Sequence, residues 1–441
     1  MSDKIRATGG APAQPTLFGH PAGLAVLFST EAMAYFSAFG MQALLVLYMV
    51  RQLDFTQPQA SFIYGLYVGA ANLTPLLGGF IADRYIGKGR AITLGASLMA
   101  LGHLAMTWNS GLYAGLALVA LGNGFFITSL ASQIGDLYAA SDPRRERAYV
   151  IYYLGINLGS FVAPLVCGAL AEAYGWHYGF AAAAVAMALG LVIHIAFKPV
   201  LSASLAYSGR FTVSSSPDAP TAPDSIRLAA KLPLLAAVLG LVILFRLGYE
   251  QIGNTIALWI DGNTDRILGG FRVPAPWFQS LNPLLIFTLT PLLTWYWRRR
   301  EDAGRPIATL SKMMLGCAFS ALAYLAMMGG AWEWGEHGQA NMAWPLLFFL
   351  FMTLAEIHVL PIGLALFGRL SPARHASFII GIWYSAKFVA SIAAGAFGTL
   401  WTALAPALFF AMNIGLTLLT MLLMYGAGRM GLNRALARQL L

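Results

Sequence analysis

The 441-residue sequence has little charge and almost no cysteine. Only 10% of its residues are Asp, Glu, Lys or Arg, against about 25% in soluble proteins. Cys167 and Cys317 lie in separate apolar runs, so we interpret them as small core residues and not as a disulfide. The sequence contains no metal-ligand cluster, no nucleophile triad pattern and no phosphate-binding G-x-x-x-x-G-K-[ST] motif. We therefore expect no enzyme, no metal, no organic cofactor and no ATP-driven step.

Long apolar runs, in contrast, fill most of the chain. Apolar residues make up 58% of the sequence, and the mean hydropathy is +0.67. Runs that approach or exceed the ~20 residues needed to cross a bilayer must be helical, because lipid offers the backbone no hydrogen-bond partner. We predict an all-α membrane protein with twelve spans, at 22–49, 58–82, 91–108, 111–138, 149–173, 177–197, 232–260, 276–297, 307–332, 343–370, 376–400 and 402–426.

The net charge of +9 comes from short loops on one predicted face of the membrane. Of the 27 Lys and Arg residues, Arg51, Arg266 and Arg272 fall on the other face, and Arg246 and Lys387 fall inside spans. The positive-inside rule then places both termini in the cytoplasm. The charge therefore predicts a lipid bilayer as the partner and no nucleic acid.

Residues 199–230 are rich in Ser, Pro and Ala, which is typical of a linker. Six spans precede this segment and six follow it. Two six-helix halves joined in this way resemble a major facilitator fold, with a binding site between the halves. We predict five segments: a cytoplasmic tail 1–21, a helical bundle 22–198, a cytoplasmic linker 199–230, a second bundle 231–428 and a cytoplasmic tail 429–441.

Two opposite charges lie deep in neighbouring spans. Glu356 is near the middle of one apolar run and Lys387 near the middle of the next. A charge at that depth costs about 2.5–3.5 kcal/mol by insertion scales, so it needs a partner, a proton or a watery cavity. The pair therefore predicts a polar cavity and a binding site within the membrane.

The loop after the second span, GGFIADRYIGKGR at 78–90, resembles the G-x-x-x-D-R-x-G-R-[RK] loop of major facilitators. Its glycines permit a tight turn. Asp83 and Arg84 are expected to form ion pairs that latch the cytoplasmic face and act in gating. The alternative is a positively charged loop with glycines at these positions by chance.

Three stretches resemble the proton-dependent oligopeptide transporter family. They are LTPLLGGFIADR at 73–84, YYLGINLGS at 152–160 and WFQSLNP at 277–283, and the similarity extends over nearly the whole chain. The resemblance implies a secondary transporter that imports di- and tripeptides, with the proton as coupling ion and alternating access of the site.

The first and fourth spans depart from the family pattern. Where relatives carry E-x-x-E-R-F-x-Y-Y-G, this chain has EAMAYFSAFG at 31–40, which keeps Glu31 but has Ala34 and Tyr35 in place of the second acid and the arginine. The G-x-G-L-L-K-P-N pattern, with its lysine, is replaced by a run that leads into Ile127. Charges tied to proton coupling and carboxylate binding in relatives are thus missing from the first half.

A dipeptide needs an anion for its ammonium, a cation for its carboxylate and amide partners for its peptide bond. The resemblance assigns the ammonium to Glu356, and Lys387 is the best remaining cation for the carboxylate. We predict substrate contacts from Glu356, Asn157, Asn282, Trp383, Lys387, Tyr64 and Tyr35. The alternatives are asparagines that only tie helices together, a Trp383 that only packs, and a permanent ion pair between Lys387 and a glutamate.

Proton coupling is expected to use Glu31, Glu250 and Glu356. A buried carboxyl group changes its proton affinity when a cation approaches or leaves it, so rearrangement around Lys387 could couple the proton to the substrate. Arg246 and Glu250 are four residues apart and can pair along one helix face. A gate that breaks during transport and a static structural pair remain equal alternatives.

Two other functions remain open. The same fold could carry another small zwitterion or peptide-like compound with weak or absent proton coupling. A non-transporting binding or sensing membrane protein is the third reading. In each case we expect a monomer.

Overall fold

The computed structural model describes residues 16–138, 142–209, 224–370 and 376–429. Long helices dominate these ranges, as the apolar runs predict. The helices of the first half are α1 (Ala22–Arg51), α2 (Gln57–Ile81), α3 (Lys88–Ala105), α4 (Leu112–Asp136), α5 (Arg144–Tyr174), α6 (Trp176–Ala196) and α7 (Lys198–Gly209). Those of the second half are α8 (Asp224–Tyr249), α9 (Thr255–Asn263), α10 (Leu281–Asp302), α11 (Thr309–His337), α12 (Ala343–Leu370), α13 (Ala376–Gly398) and α14 (Pro406–Ala427).

Short irregular pieces connect these helices. Within the described ranges, a π turn (Ala82–Ile86) continues α2, and three 3-10 turns precede or follow other helices: Asn109–Gly111, Ala275–Ser280 and Trp401–Ala403. Two hairpins of two-residue strands pair antiparallel, β1 (Thr16–Leu17) with β2 (His20–Pro21) and β3 (Ile267–Leu268) with β4 (Phe271–Arg272).

The predicted fold class is confirmed: this is a helical membrane protein of the major facilitator fold. Eight helices in the described ranges are long and apolar enough to span a membrane. The other four predicted spans correspond to α3, α8 with α9, α10 and α13. The helix α7 begins one residue before the predicted linker and otherwise lies within it. Residues 210–223 fall outside the described residues, so the predicted segment boundaries remain a prediction.

The seventh predicted span is not one continuous helix. The sequence predicts a single run at 232–260, but α8 ends at Tyr249 and α9 begins at Thr255. Asn254 leaves helical geometry (φ −116°, ψ −104°), and its side-chain oxygen accepts a hydrogen bond from Ser61 at 2.6 Å. At Gly253 a methyl group would lie 2.0 Å from the Tyr64 hydroxyl. The helix is thus interrupted where Gly253 and Asn254 contact α2.

The two halves approach most closely where α2 crosses α13. Gly65 and Gly395 face each other there, and a methyl group on Gly65 would lie 2.6 Å from the Gly395 backbone. Small residues allow helices to pack this closely in a membrane. Adding a side chain at either glycine would therefore push the halves apart.

We call the helix ends near Arg84, Arg144 and Arg298 the basic face, and the other ends the opposite face. The halves are joined at the opposite face by an Arg51–Asp261 ion pair of 2.7 Å and a looser Arg272–Glu172 pair of 3.6 Å. Trp277 and Ser280 also donate hydrogen bonds to backbone carbonyls of α5, at 2.9 Å and 2.7 Å. This conformer is closed at the opposite face.

Candidate functional site

Glu356 lies on α12 inside the second half, within a network of hydrogen bonds. Its Oε2 accepts a hydrogen bond from Asn282 at 2.7 Å, and the Asn282 amide also reaches Thr353 at 3.2 Å. The Tyr249 hydroxyl at the end of α8 also interacts with this carboxyl group. The first turn of α10, the end of α8 and the middle of α12 therefore position one carboxyl group.

Arg246 and Glu250 form an ion pair at the point where α8 ends. The guanidinium lies 2.9 Å from the carboxylate, and their side chains are only 11% and 10% exposed. Both groups interact electrostatically with Lys387 on α13, and so does Glu356. Two acids and two bases of the second half thus form one charged cluster.

Lys387 is the member of this cluster without a short contact. Within the described parts of the chain, its ammonium makes no hydrogen bond or ion pair. It lines a pocket of about 90 Å³ whose other walls come from the first half. We call this the lysine pocket; its polar residues are Tyr35, Gln42, Tyr67, Asn72 and Asn123. Lys387, a cation of the second half, therefore faces uncharged residues of the first half.

A larger pocket of about 490 Å³ lies beside Glu356. We call it the glutamate pocket; it extends along α10 and α12 toward the basic face, and its lining includes Tyr153, Arg246, Ile286, Glu356, Leu360 and Trp383. The Trp383 ring is held against α12 at Gly363, where a methyl group would lie 2.4 Å from the indole. The structure thus brings Glu356, Trp383 and Arg246 to one cavity.

The predicted residues of the first half are placed differently from one another. Tyr35 lines the lysine pocket and stacks on Phe39, with ring centroids 5.9 Å apart. Glu31 is fully buried away from both pockets; Tyr152 donates a hydrogen bond to Oε1, and Oε2 has no partner among the described residues. Tyr64 is buried against the break after α8.

Two other predictions are not brought to the cavity. The Asn157 amide donates 2.9 Å to the Tyr153 carbonyl within α5, so it acts on the glutamate pocket through its neighbour. Asp83 and Arg84 are exposed and form no ion pair with described residues. Instead, Lys88 pairs with Asp136 at 2.7 Å on the basic face.

Sequence reasoning missed several polar groups at the site. Tyr249 interacts with Glu356, and Gln42, Asn72 and Asn123 line the lysine pocket. The asparagines donate to the Val68 and Ala71 carbonyls at 2.6 Å and 2.7 Å, respectively. Amides inside apolar runs are the signal that could have found three of these residues, because polar groups in a membrane face the bundle interior.

A comparison with protein-family models shows which family this chain belongs to. The model of the POT family matches residues 89–203 and 225–409, which is more than half of the chain. The chain belongs to the POT family. The charged cluster, the lysine pocket and the glutamate pocket are therefore features of a POT-family membrane protein.

Curated relatives are similar over most of their length. The peptide transporter YePEPT of Yersinia enterocolitica is 29% identical to this POT-family chain, over 88% of this chain and 89% of the relative. A di-/tripeptide transporter of Lactococcus lactis subsp. cremoris is 28% identical, over 85% and 88% of the two chains.

Solved structures agree with the architecture. The chain matches a crystal structure of a mutant of the peptide transporter POT, in complex with sulfate, with a TM-score of 0.84 and 27% identity over 96% of this chain and 97% of the other. A complex of the same mutant with alafosfalin gives a TM-score of 0.82 at 28% identity over the same shares of the two chains.

Proposed function

We propose that this POT-family chain imports di- and tripeptides by proton symport with alternating access. The peptide transporters among its relatives support the cargo class. The observation that carries the proposal is a pair of complementary charges, each of which lines its own pocket. Glu356 lines the glutamate pocket, and the Lys387 ammonium, which has no anion within bonding distance among the described residues, lines the lysine pocket.

In this scheme the peptide ammonium binds Glu356, and its carboxylate binds Lys387. Asn282 holds the Glu356 carboxylate at 2.7 Å, and its amide oxygen can accept a hydrogen bond from the peptide N–H. Trp383 lines the glutamate pocket and Tyr35 lines the lysine pocket. Tyr64 and Asn157 do not line either pocket; Tyr64 packs against Gly253, and Asn157 donates a hydrogen bond to the Tyr153 carbonyl.

The proton is the proposed coupling ion, and Glu31, Glu250 and Glu356 are its carriers. Glu31 is fully buried, and one of its carboxyl oxygens has no partner among the described residues. Substrate binding at Lys387 neutralises a cation that interacts with Glu250 and Glu356, and this is the proposed link between substrate and proton. We further propose that the protein works as a monomer in an inner membrane with both termini in the cytoplasm, where Asp83 and Arg84 lie at the basic face.

Uptake by proteoliposomes tests this function. Labelled di-alanine and tri-alanine should accumulate when the outside is acidic and should accumulate far less without the proton gradient. Glu356→Gln and Lys387→Met should each abolish most peptide uptake, whereas Glu336→Gln, at an exposed position of α11, should transport normally. Proton dependence that is unchanged in both Glu31→Ala and Glu356→Ala would reject these two residues as carriers.

A second cargo has one observation in its favour. Both cations inside the membrane, Arg246 and Lys387, belong to the second half, and positions 34, 35 and 127 are uncharged. Another small zwitterion with weak proton coupling would suit such a site. Thermal-shift screening with di- and tripeptides separates the two, since a ligand far above its Kd raises stability by RT ln(1 + [L]/Kd). No shift with any peptide would favour the second cargo.

A further inference from the structure

The two pockets differ in size. The lysine pocket has a volume of about 90 Å³, well below the ~300–1,000 Å³ typical of small-molecule sites, whereas the glutamate pocket, at about 490 Å³, lies within that range. A ligand that spans both pockets must therefore place its bulk on the glutamate side.

The lysine pocket suits a small anion. The Lys387 ammonium supplies the charge, and Asn72 and Asn123 each use one amide hydrogen on a backbone carbonyl, which leaves a second hydrogen for a ligand oxygen. Buried Met99 and Phe126 close the pocket. A carboxylate fits beside the ammonium, but a large side chain next to that carboxylate does not.

The glutamate pocket suits a large apolar group. Around the carboxyl group its lining is chiefly apolar and includes Ile286, Ile357, Leu360 and Trp383. A substrate ammonium at Glu356 would therefore direct the side chain of the same residue into an apolar space. The two ends of a dipeptide thus meet different steric limits.

We propose that this transporter selects peptides with a bulky apolar N-terminal residue and a small C-terminal residue. The inference rests on the proposed function, in which Glu356 takes the ammonium and Lys387 the carboxylate. The order of the two residues in a dipeptide, and not its composition alone, then decides whether it is transported.

Sequence-reversed dipeptides test this directly, because they have the same atoms and the same charges. Uptake of labelled di-alanine by proteoliposomes is measured at increasing concentrations of unlabelled Phe-Ala or Ala-Phe as competitor. The measurement is then repeated with Leu-Ala and Ala-Leu. We expect Phe-Ala and Leu-Ala to compete at a concentration about tenfold or more below their reversed partners, the discrimination expected when an apolar group loses its pocket. Equal or reversed preference overturns the inference while peptide transport stands. Absence of any peptide uptake overturns the proposed function together with it.

Pocket variants give a second readout. Ile127→Ala enlarges the lysine pocket and should bring Ala-Phe closer to Phe-Ala, whereas Leu121→Ala, on the same helix at a position that is 52% exposed, should not. Ile286→Trp fills the glutamate pocket and should weaken Phe-Ala, whereas Leu292→Trp, 62% exposed on the same helix, should not. If both pocket variants leave the ratio of the two peptides unchanged, the pockets do not set the preference and the inference is wrong.

Discussion

The Arg246–Glu250 pair offers a quantitative test of how the charged cluster is held together. The two side chains are about one-tenth exposed and 2.9 Å apart, so solvent screens their interaction little. Removing one partner of such a buried pair typically costs about 3–5 kcal/mol, because the other charge stays behind unpaired. Replacing both partners with neutral groups of similar size costs far less.

The charges that remain nearby determine how much unfolding free energy each single variant loses. In Arg246→Met, Glu250 still faces Lys387, so we expect the lower end, about 3 kcal/mol of lost unfolding free energy. In Glu250→Gln, the guanidinium still faces Glu356, and we expect a similar loss. The double variant should lose only about 1 kcal/mol of unfolding free energy. The losses of the two single variants then do not add, as is expected for residues in contact.

SDS titration of the purified protein in mixed micelles, followed by tryptophan fluorescence, gives the three free energies. Arg305→Met, at an exposed loop position, is the control and should stay within about 0.5 kcal/mol of the parent. If the loss in the double variant equals the sum of the single losses, Arg246 and Glu250 act independently and do not form a stabilising ion pair. Peptide uptake by the double variant then separates the two roles, since a static pair predicts that transport survives and a gate predicts that it fails.

Three further substitutions probe contacts between elements. Gly253→Ala should destabilise the protein, because the new methyl group would lie 2.0 Å from the Tyr64 hydroxyl; adding Tyr64→Phe should recover part of the melting temperature, and Gly240→Ala, with no atom within 4 Å, should be harmless. Gly65→Ala should weaken the contact of α2 with α13, which cysteine cross-linking between the two helices would report as a lower yield. Asp261→Asn should cost about 3–5 kcal/mol by leaving Arg266, 2% exposed, without its anion, whereas Arg51→Met, whose side chain is 54% exposed, should cost at most about 1 kcal/mol; equal losses in SDS titration would contradict the difference in burial.

The helices were predictable from the sequence because membrane solvation allows few structures. An apolar run of about 20 residues has no stable state in lipid other than a helix, so the spans followed from composition. The break after Tyr249 was not predicted, because long apolar stretches continue on both sides of the short polar segment at 250–255. Gly253 and Asn254 leave the helix where α2 places Tyr64 and Ser61 against them, and Gln251 donates a hydrogen bond to the Ala394 carbonyl of α13 at 2.9 Å. A single span does not reveal these neighbours.

That the charged residues of the site lie inside the bundle was predictable from the sequence, whereas their contacts were not. A charge in the middle of an apolar run must face the interior, which is why Glu356 and Lys387 could be chosen without coordinates. The bond between Asn282 and Glu356 joins residues 74 positions apart, and no local pattern encodes it. Asp83 shows the opposite case: its motif predicts an ion pair, but the nearby Lys88 binds Asp136, because α3 begins beside the end of α4 at the basic face.

The distribution of charges constrains how coupling can work. Arg246, Glu250 and Glu356 all belong to the second half, and a rigid rocking of one half against the other leaves distances within each half unchanged. Their mutual interactions therefore contribute equally to both states and cannot by themselves distinguish the inward from the outward conformer. Lys387 differs most, because all the other residues that line its pocket belong to the first half, whereas the glutamate pocket takes Tyr153 alone from that half among its described lining residues. Separation of the halves therefore changes the surroundings of Lys387 more than those of Arg246 or Glu356, and we expect coupling between charge and conformation in this cluster to pass chiefly through Lys387 or a ligand bound to it.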